Sequence, residues 1–382
     1  MRAAEIKSMH LIAALLFLLT QIFLCVGTAQ AVEPIAVAAI FSMSGIASSH
    51  NAPLVSMVQL AASEINQNGG VLGRPLELIL LDNQSTTIGS SLAAEKACQL
   101  GVSAVIGAHW SSHSLAIAPV LQKHGVPMIT PASTHPAVTQ VGNFIFRVCF
   151  VDSSQGYAMA RFAREQLNVR KAAVLRNLDE TYCMALADYF RDALAQTGGE
   201  VLLDRGYRGK AVDFSDIIEE MRRLPLDAVY LPGYTRDSGL LIKQAVSKGI
   251  KTVFLGGDAW DEIHTVAGSS LDGSYQSAPW HPSVPFPLSR HLQEIHWNKF
   301  GEGITNTSAP LAYDALMLLV DAITRAGSSD RIRIRDALAA TVDFKGATGS
   351  ISFDKDRDPL HKDIIILKYG RSGSQYFTTL KY

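Results

Sequence analysis

The chain lacks the residues that common catalytic and metal-binding signatures leave behind. It contains no H-E-x-x-H pair, no Walker loop and no G-x-S-x-G elbow, so zinc peptidase, phosphate-loop and hydrolase chemistries have no foothold. Gly198-Gly199 and Gly256-Gly257 are too sparse for a dinucleotide fingerprint. Eleven histidines are scattered, and His291 and His296 fall five apart, a poor spacing for one helix face. No metal and no cofactor is expected. Charge of one sign is also missing: 34 basic residues face 35 acidic ones, a net charge of -1. That balance excludes the basic footprint of a nucleic-acid binder and the polybasic face of a lipid-surface protein. There is no low-complexity stretch and no short internal repeat.

One long apolar run is present, and it sits at the N-terminus. Arg2 and Lys7 give a basic start, His10 to Val26 is almost continuously apolar, and Ala29-Gln30-Ala31 is a small-x-small cleavage site. Residues 1-31 therefore read as a cleaved signal peptide, with a mature start at Val32 and a periplasmic destination. The rival reading is an uncleaved anchor, since the run approaches bilayer-spanning length. Cys25 would suit a lipoprotein, but Ile22-Phe23-Leu24 lacks the small residue expected beside a lipidated cysteine. About 350 residues remain, too many for one compact core and suited to two domains. Cys98, Cys149 and Cys183 remain with them, an odd number that leaves at least one thiol free or paired between chains. A Cys149–Cys183 bridge and three buried thiols are both open readings.

What the chain has in quantity is alternation. Short apolar runs at Pro34–Phe41, Pro75–Asp82, Ser103–Gly107, Val126–Thr130 and Phe144–Phe150 read as buried strands. Lys171–Arg176, Glu200–Gly206, Asp227–Leu231, Thr252–Leu255, Gly273–Ala278, Gly349–Phe353 and Asp363–Tyr369 read the same way. Helical patterns separate them at Pro53–Gln67, Ser90–Leu100, Ser154–Gln166, Tyr182–Gln196, Phe214–Arg223, Arg236–Lys248 and Pro310–Ala326. This predicts α/β architecture with doubly wound parallel sheets. Asn68-Gly69-Gly70 suits a helix C-cap, and Asp179 and Asp213 are placed as N-caps. The two halves echo each other, which suggests two similar lobes with a small-molecule cleft between them.

The most informative stretch runs from Ala104 to Thr134. It reads as strand Ser103–Gly107, a hydroxyl-rich loop, a helix from about Ser114 to Lys123, strand Val126–Thr130 and a second hydroxyl-rich turn, Pro131-Ala132-Ser133-Thr134. In open α/β sheets ligands lie outside the carboxyl ends of the strands, near helix N-termini with unpaired N–H groups. Two such ends with Ser and Thr but no catalytic base suit holding a small carboxylate rather than reacting with it.

These residues resemble the periplasmic solute-binding proteins of the branched-chain amino-acid (Leu/Ile/Val) ABC transporter family, with the type I periplasmic binding fold. The likeness rests on Ser42-Met43-Ser44-Gly45, the segment Glu64 to Leu78 and Leu81-Asp82-Asn83. It continues through Ile106-Gly107 with Ser111-Ser112, the turn Pro131 to Pro136 and Asp152-Ser153-Ser154-Gln155-Gly156. Gly233-Tyr234 and Gly256-Gly257-Asp258 complete it. The resemblance implies a discontinuous division: lobe one from 32-151 and 280-346, lobe two from 152-279 and 347-382, joined by a three-crossover hinge.

It also implies roles. Ser111, with Ser112 as the neighbouring alternative, would hold a ligand carboxylate; the bland alternative is that both cap the following helix. Thr134, beside Ser133, would touch carboxylate and ammonium, and the Ala132 carbonyl would accept from the ammonium; the alternative is a Ser/Thr turn before Pro136. Asp258 would pair with the α-ammonium, although the family carries a longer acidic side chain there; otherwise it is a surface turn aspartate. Tyr182 and Tyr234 would wall the cleft, or serve as core aromatics. His50 would border the ligand side chain, or lie in solvent. Trp110 and Trp260 flank the expected site, or pack beneath it. Asp152 at the crossover could face the ammonium or cap a helix. The expected function is an extracytoplasmic receptor, not an enzyme, that delivers an amino acid or related carboxylate to ABC permease subunits and works as a monomer. The alternative is a periplasmic sensing module acting with a separate membrane receptor. Which ligand and which permease are left open.

Overall fold

The computed structural model describes residues 32–371 and 373–381. The expected signal segment lies outside them. Five strands form the first sheet: β1 Ile35–Phe41, β2 Leu76–Asp82, β3 Ala104–Gly107, β4 Met128–Thr130 and β5 Ile145–Arg147. Then follow β6 Lys171–Asn177, β7 Glu200–Tyr207, β8 Ala228–Leu231, β9 Val253–Gly256 and β10 Tyr275–Ala278. The hairpin β11 Phe344–Gly346 and β12 Gly349–Ile351 precedes β13 Ile364–Gly370 and β14 Gly373–Leu380.

The first sheet is parallel throughout, in the order β2-β1-β3-β4-β5. Its strands are apolar runs such as IAVAAIF and AVIG, buried on both faces, as a helix-covered parallel sheet demands. One face packs against helices Ser48–Gln67 and Ala309–Ala326, the other against Thr87–Gln99 and Ser111–Lys123. The second sheet runs β14-β13-β10-β9-β8-β6-β7. Helices Asp152–Leu167 and Thr181–Gln196 cover one face; Ser215–Arg222 and Thr235–Ser247 cover the other. The all-parallel expectation needs correction here: β13 is antiparallel to β10, and β14 to β13.

The last strand was absent from the sequence pattern because β14 is an edge strand, mostly exposed, with no apolar alternation to betray it. Helix Pro287–Phe300 escaped for a similar reason: it buries only Ser289, Leu292 and His296. Two expected N-caps do other work. Asp213 accepts from Ser215 two residues on, and Asp179 accepts from the Arg208 guanidinium and the Gly209 N–H.

The chain passes between the sheets three times: after β5, after β10 and before β13. Residues that pack with the first sheet extend to Trp280, Leu319 and Phe353. Arg147, fully buried at the end of β5, bonds the Asp358 carboxylate at 2.5 Å and the carbonyls of Ser133 and His135 at 2.7 and 3.0 Å. It thus ties the first crossing to the third. Cys98, Cys149 and Cys183 are free thiols, so the Cys149–Cys183 bridge does not form.

Candidate functional site

Strand order reverses between β1 and β3 in one sheet and between β6 and β8 in the other. Those reversals are where an open sheet leaves a crevice beyond its carboxyl ends. The loops from both crevices meet around one cavity of about 20 Å³, lined by His109, Trp110, Ser111, Ala132, Tyr182, Tyr234, Asp258 and Ala259. Half of these residues follow β3 and β4; the other half belong to the second sheet's layer.

The β3 loop is shaped by Gly107. Its φ is +134°, and a Cβ there would lie 2.2 Å from the Ile40 carbonyl oxygen, so only glycine fits. Helix Ser111–Lys123 then starts three residues earlier than its sequence pattern suggests. Ser111 and Ser112 are therefore its first turn, where N–H groups lack helical partners and the dipole favours negative charge. The Ser111 hydroxyl accepts from the His135 N–H at 3.2 Å, joining the two hydroxyl-rich loops. Ser133 faces away from the cavity: its hydroxyl bonds Ser114 Oγ at 2.7 Å and the His109 carbonyl at 3.0 Å.

Asp258 is the organised acid. Tyr182 Oη and Gln155 Nε2 both donate to its Oδ1, at 2.9 and 3.0 Å, and Gln155 Oε1 accepts from the Asp258 N–H. Both side-chain bonds fall on one oxygen, leaving Oδ2 without a protein donor. Burial pushes this carboxyl up to about 6, against those two hydrogen bonds. Asp152, the first residue of helix Asp152–Leu167, is fully buried, and neither of its carboxylate oxygens has a hydrogen-bond partner. It is therefore no helix cap. Burial raises its carboxyl well above the ordinary range, the Thr134 hydroxyl nearby eases the shift, and Asp258 adds to it. The Thr134 hydroxyl is itself buried and unpartnered.

Aromatic rings close the cavity. Trp110 stacks on Tyr234 from the opposite layer with centroids 4.3 Å apart, and Tyr182 lies 5.8 Å from Tyr234. Ser112 stands just outside and donates to Glu180 Oε2 at 3.2 Å. Burial lifts the Glu180 carboxyl to about 7. His50, on helix Ser48–Gln67, does not line the cavity but is close enough to His109 to disfavour its protonation. Trp260 is not in the cavity either. It is fully buried beside Gly256, in the core with Phe254 and Ile263, and borders a separate cavity of about 670 Å³. That larger space also meets Asp261, whose carboxylate accepts from the Thr307 N–H and hydroxyl.

His109, Gln155 and Glu180 were not singled out from sequence. Gln155 had a place in the crossover motif but no signal for a role, and Glu180 reads as an ordinary helix-start acid. His109 could have been found by its position two residues after Gly107. Among the described residues, no group of three or more His, Cys, Asp or Glu could hold a metal ion. Nor is any described helix long and apolar enough to cross a membrane. The arrangement offers helix-start N–H groups and hydroxyls on one side, carboxylates on the other and aromatic walls between.

Comparison with known proteins gives a consistent result. Residues 34–374 match the family described as periplasmic binding protein. The Leu-, Ile-, Val-, Thr- and Ala-binding protein of Pseudomonas aeruginosa is 27% identical over 319 residues, 83% of this chain and 84% of that protein. The Leu/Ile/Val-binding protein of Escherichia coli is 29% identical over 250 residues, 65% of this chain and 68% of that one. Among solved structures, a leucine-binding protein of Thermotoga maritima superposes with a TM-score of 0.86 at 33% identity, covering 91% of this chain and 98% of its own. A branched-chain amino-acid transporter substrate-binding protein of Streptococcus pneumoniae, in complex with isoleucine, gives 0.86 at 28% identity, covering 92% of this chain and 100% of its own.

Proposed function

Since the chain belongs to the periplasmic binding protein family, we propose that it is an extracytoplasmic receptor that captures an amino acid between its lobes and presents it to an ABC permease. The observation that carries this reading is the convergence of Ser111, Ala132, Tyr182, Tyr234 and Asp258 on one cavity between two sheets. The start of helix Ser111–Lys123 takes the α-carboxylate through N–H groups and the Ser111 hydroxyl. The Ala132 carbonyl, the Thr134 hydroxyl and Asp258 take the α-ammonium, and the unpartnered Asp152 carboxyl adds to the same acidic wall. Tyr182 and Tyr234 flank the ligand. No hydrogen bond joins the Ser111 hydroxyl to the His109 imidazole, and Ser111 is instead engaged by the His135 N–H, so the serine has no activating base and the site binds without turnover.

A cavity of about 20 Å³ holds roughly one water. The ligand therefore enters with the lobes apart, hinged at the three crossings that divide residues 32-151 and 280-346 from 152-279 and 347-382. Only a ligand touching both lobes shifts the balance toward closure, and this lets the permease tell a loaded receptor from an empty one. Residues 1-31 direct export to the periplasm.

A thermal-shift screen of the refolded protein against amino acids, small amides and aromatic carboxylates tests the reading. Refolding removes any ligand carried through purification. A ligand at a hundred times its dissociation constant adds roughly 2.7 kcal/mol of stability. The expected result is a rise in Tm with a class of α-amino acids. A rise only with compounds that lack an α-ammonium would overturn the roles of Asp258 and Thr134.

A further inference from the structure

His109 follows β3 by two residues and borders the same cavity as Ser111, Ala132 and Asp258. It is buried, and its Nδ1 has no hydrogen-bond partner. The groups just described account for the two ends of an amino acid's backbone, but none of them accounts for this imidazole. Burial, with His50 and His113 nearby, lowers its pKa to about 3. At neutral pH the ring is therefore uncharged and offers one donor and one acceptor.

An aliphatic side chain set against that ring would leave a buried nitrogen unsatisfied, which costs roughly ten- to hundredfold in affinity. A ligand hydroxyl or carboxamide would satisfy it. A second carboxylate on the ligand is disfavoured, because no lysine or arginine lines the cavity while Asp258 does, with Asp152 and Glu180 near it. A long side chain is disfavoured by the Trp110–Tyr234 stack, which closes the space between the lobes.

We propose that His109 is a specificity-determining residue that selects small amino acids ending in a hydroxyl or carboxamide over branched aliphatic ones. This rests on the amino-acid receptor reading and names the substrate class within it.

The test is calorimetric titration of the refolded full-length exported protein with serine, threonine, asparagine and glutamine, and with leucine, isoleucine and valine. Wild type, His109→Leu and His109→Gln are compared, each checked for a cooperative thermal transition. At least one of the polar four is expected to bind wild type ten or more times tighter than leucine. His109→Leu should reverse that order, and His109→Gln, which keeps a donor and an acceptor, should preserve it. Tighter binding of leucine, isoleucine or valine to wild type would overturn the assignment to His109 while leaving the receptor reading intact. So would a polar preference that survives in His109→Leu. If no amino acid of either set binds any variant, the assignment to His109 fails, and the full thermal-shift screen decides separately whether the receptor reading fails with it.

Discussion

Asp258 carries more of the proposed chemistry than any other residue, because its protonation and its hydrogen bonds are set by the same neighbours. Tyr182 and Gln155 donate to one oxygen, and the other is the one proposed to meet the ligand's ammonium. A hydrogen bond to a charged group contributes about 1.5–3 kcal/mol. Asp258→Ala is therefore expected to weaken amino-acid binding by roughly ten- to hundredfold or more while Tm of the empty protein holds or rises, as calorimetry and thermal melts will read. The pH dependence follows from the raised carboxyl. With a folded value of about 6 against an ordinary 3.8, the empty protein binds this proton more tightly than the unfolded chain does. Its contribution to stability thus falls as pH rises from about 4 to about 6. Asp152 and Asp261, whose carboxyls are also raised, push in the same direction. An ammonium ligand prefers the anion, so affinity should rise with pH to about 6 and then level, with protons released on binding below that point. Titrations between pH 4.5 and 7.5 will show it, and Asp258→Asn should flatten the profile. Ser111, Thr134 and Asp258 were named from the family resemblance, each lying beyond the end of a short apolar strand. Gln155 and His109 were not: distance from Gly107 could have put His109 on the loop, but no one-dimensional pattern marks a buried nitrogen without a partner or a glutamine that reaches the end of another strand.

Among the elements, the turn after β9 shows how little slack the site has. A Cβ on Gly257 would fall 2.2 Å from Tyr182 Oη and 2.9 Å from Gln155 Oε1, the two groups that orient Asp258. Its φ is not positive, so alanine is strained there only by crowding. Gly257→Ala is expected to cost about 1–3 kcal/mol, the usual range for overpacking. Ligand affinity should fall as well, since Tyr182 and Gln155 must shift. Urea unfolding and calorimetry on the one variant measure both effects. Elements with two buried faces were legible from sequence: β1, β3 and β9 read as continuous apolar runs. Elements with one thin buried stripe, such as helix Pro287–Phe300 and strand β14, were not. Helix Ser111–Lys123 began earlier than its apolar rhythm because its first turn consists of serines and a histidine, which carry no periodic signal.

At the scale of the whole molecule, side-chain bonds away from the three crossings also join the proposed lobes. Ser112 to Glu180 is one, and Asp261 to Thr307 is another. Ser112→Ala removes the first without touching the proposed ligand contacts. A net hydrogen bond of about 0.5–1.5 kcal/mol implies a two- to tenfold loss of affinity, appearing as faster ligand release. Small-angle scattering should then find the unliganded variant more open than wild type. The two-lobe plan was legible because the halves repeat the same alternation. These bonds were not, because Ser112 and Glu180 are 68 residues apart and meet only once two separate layers face each other.

The three thiols have a consequence for biogenesis. Cys149 and Cys183 are fully buried and burial raises both thiols, so the reactive thiolate is scarce and out of reach of oxidants. Cys98 is partly exposed, yet its thiol is raised too. With no cross-link to form or to shuffle, the described fold asks nothing of disulfide-forming enzymes. It should reach the same state in a reducing cytosol as in an oxidising compartment, and reductant should leave its melting temperature where it was.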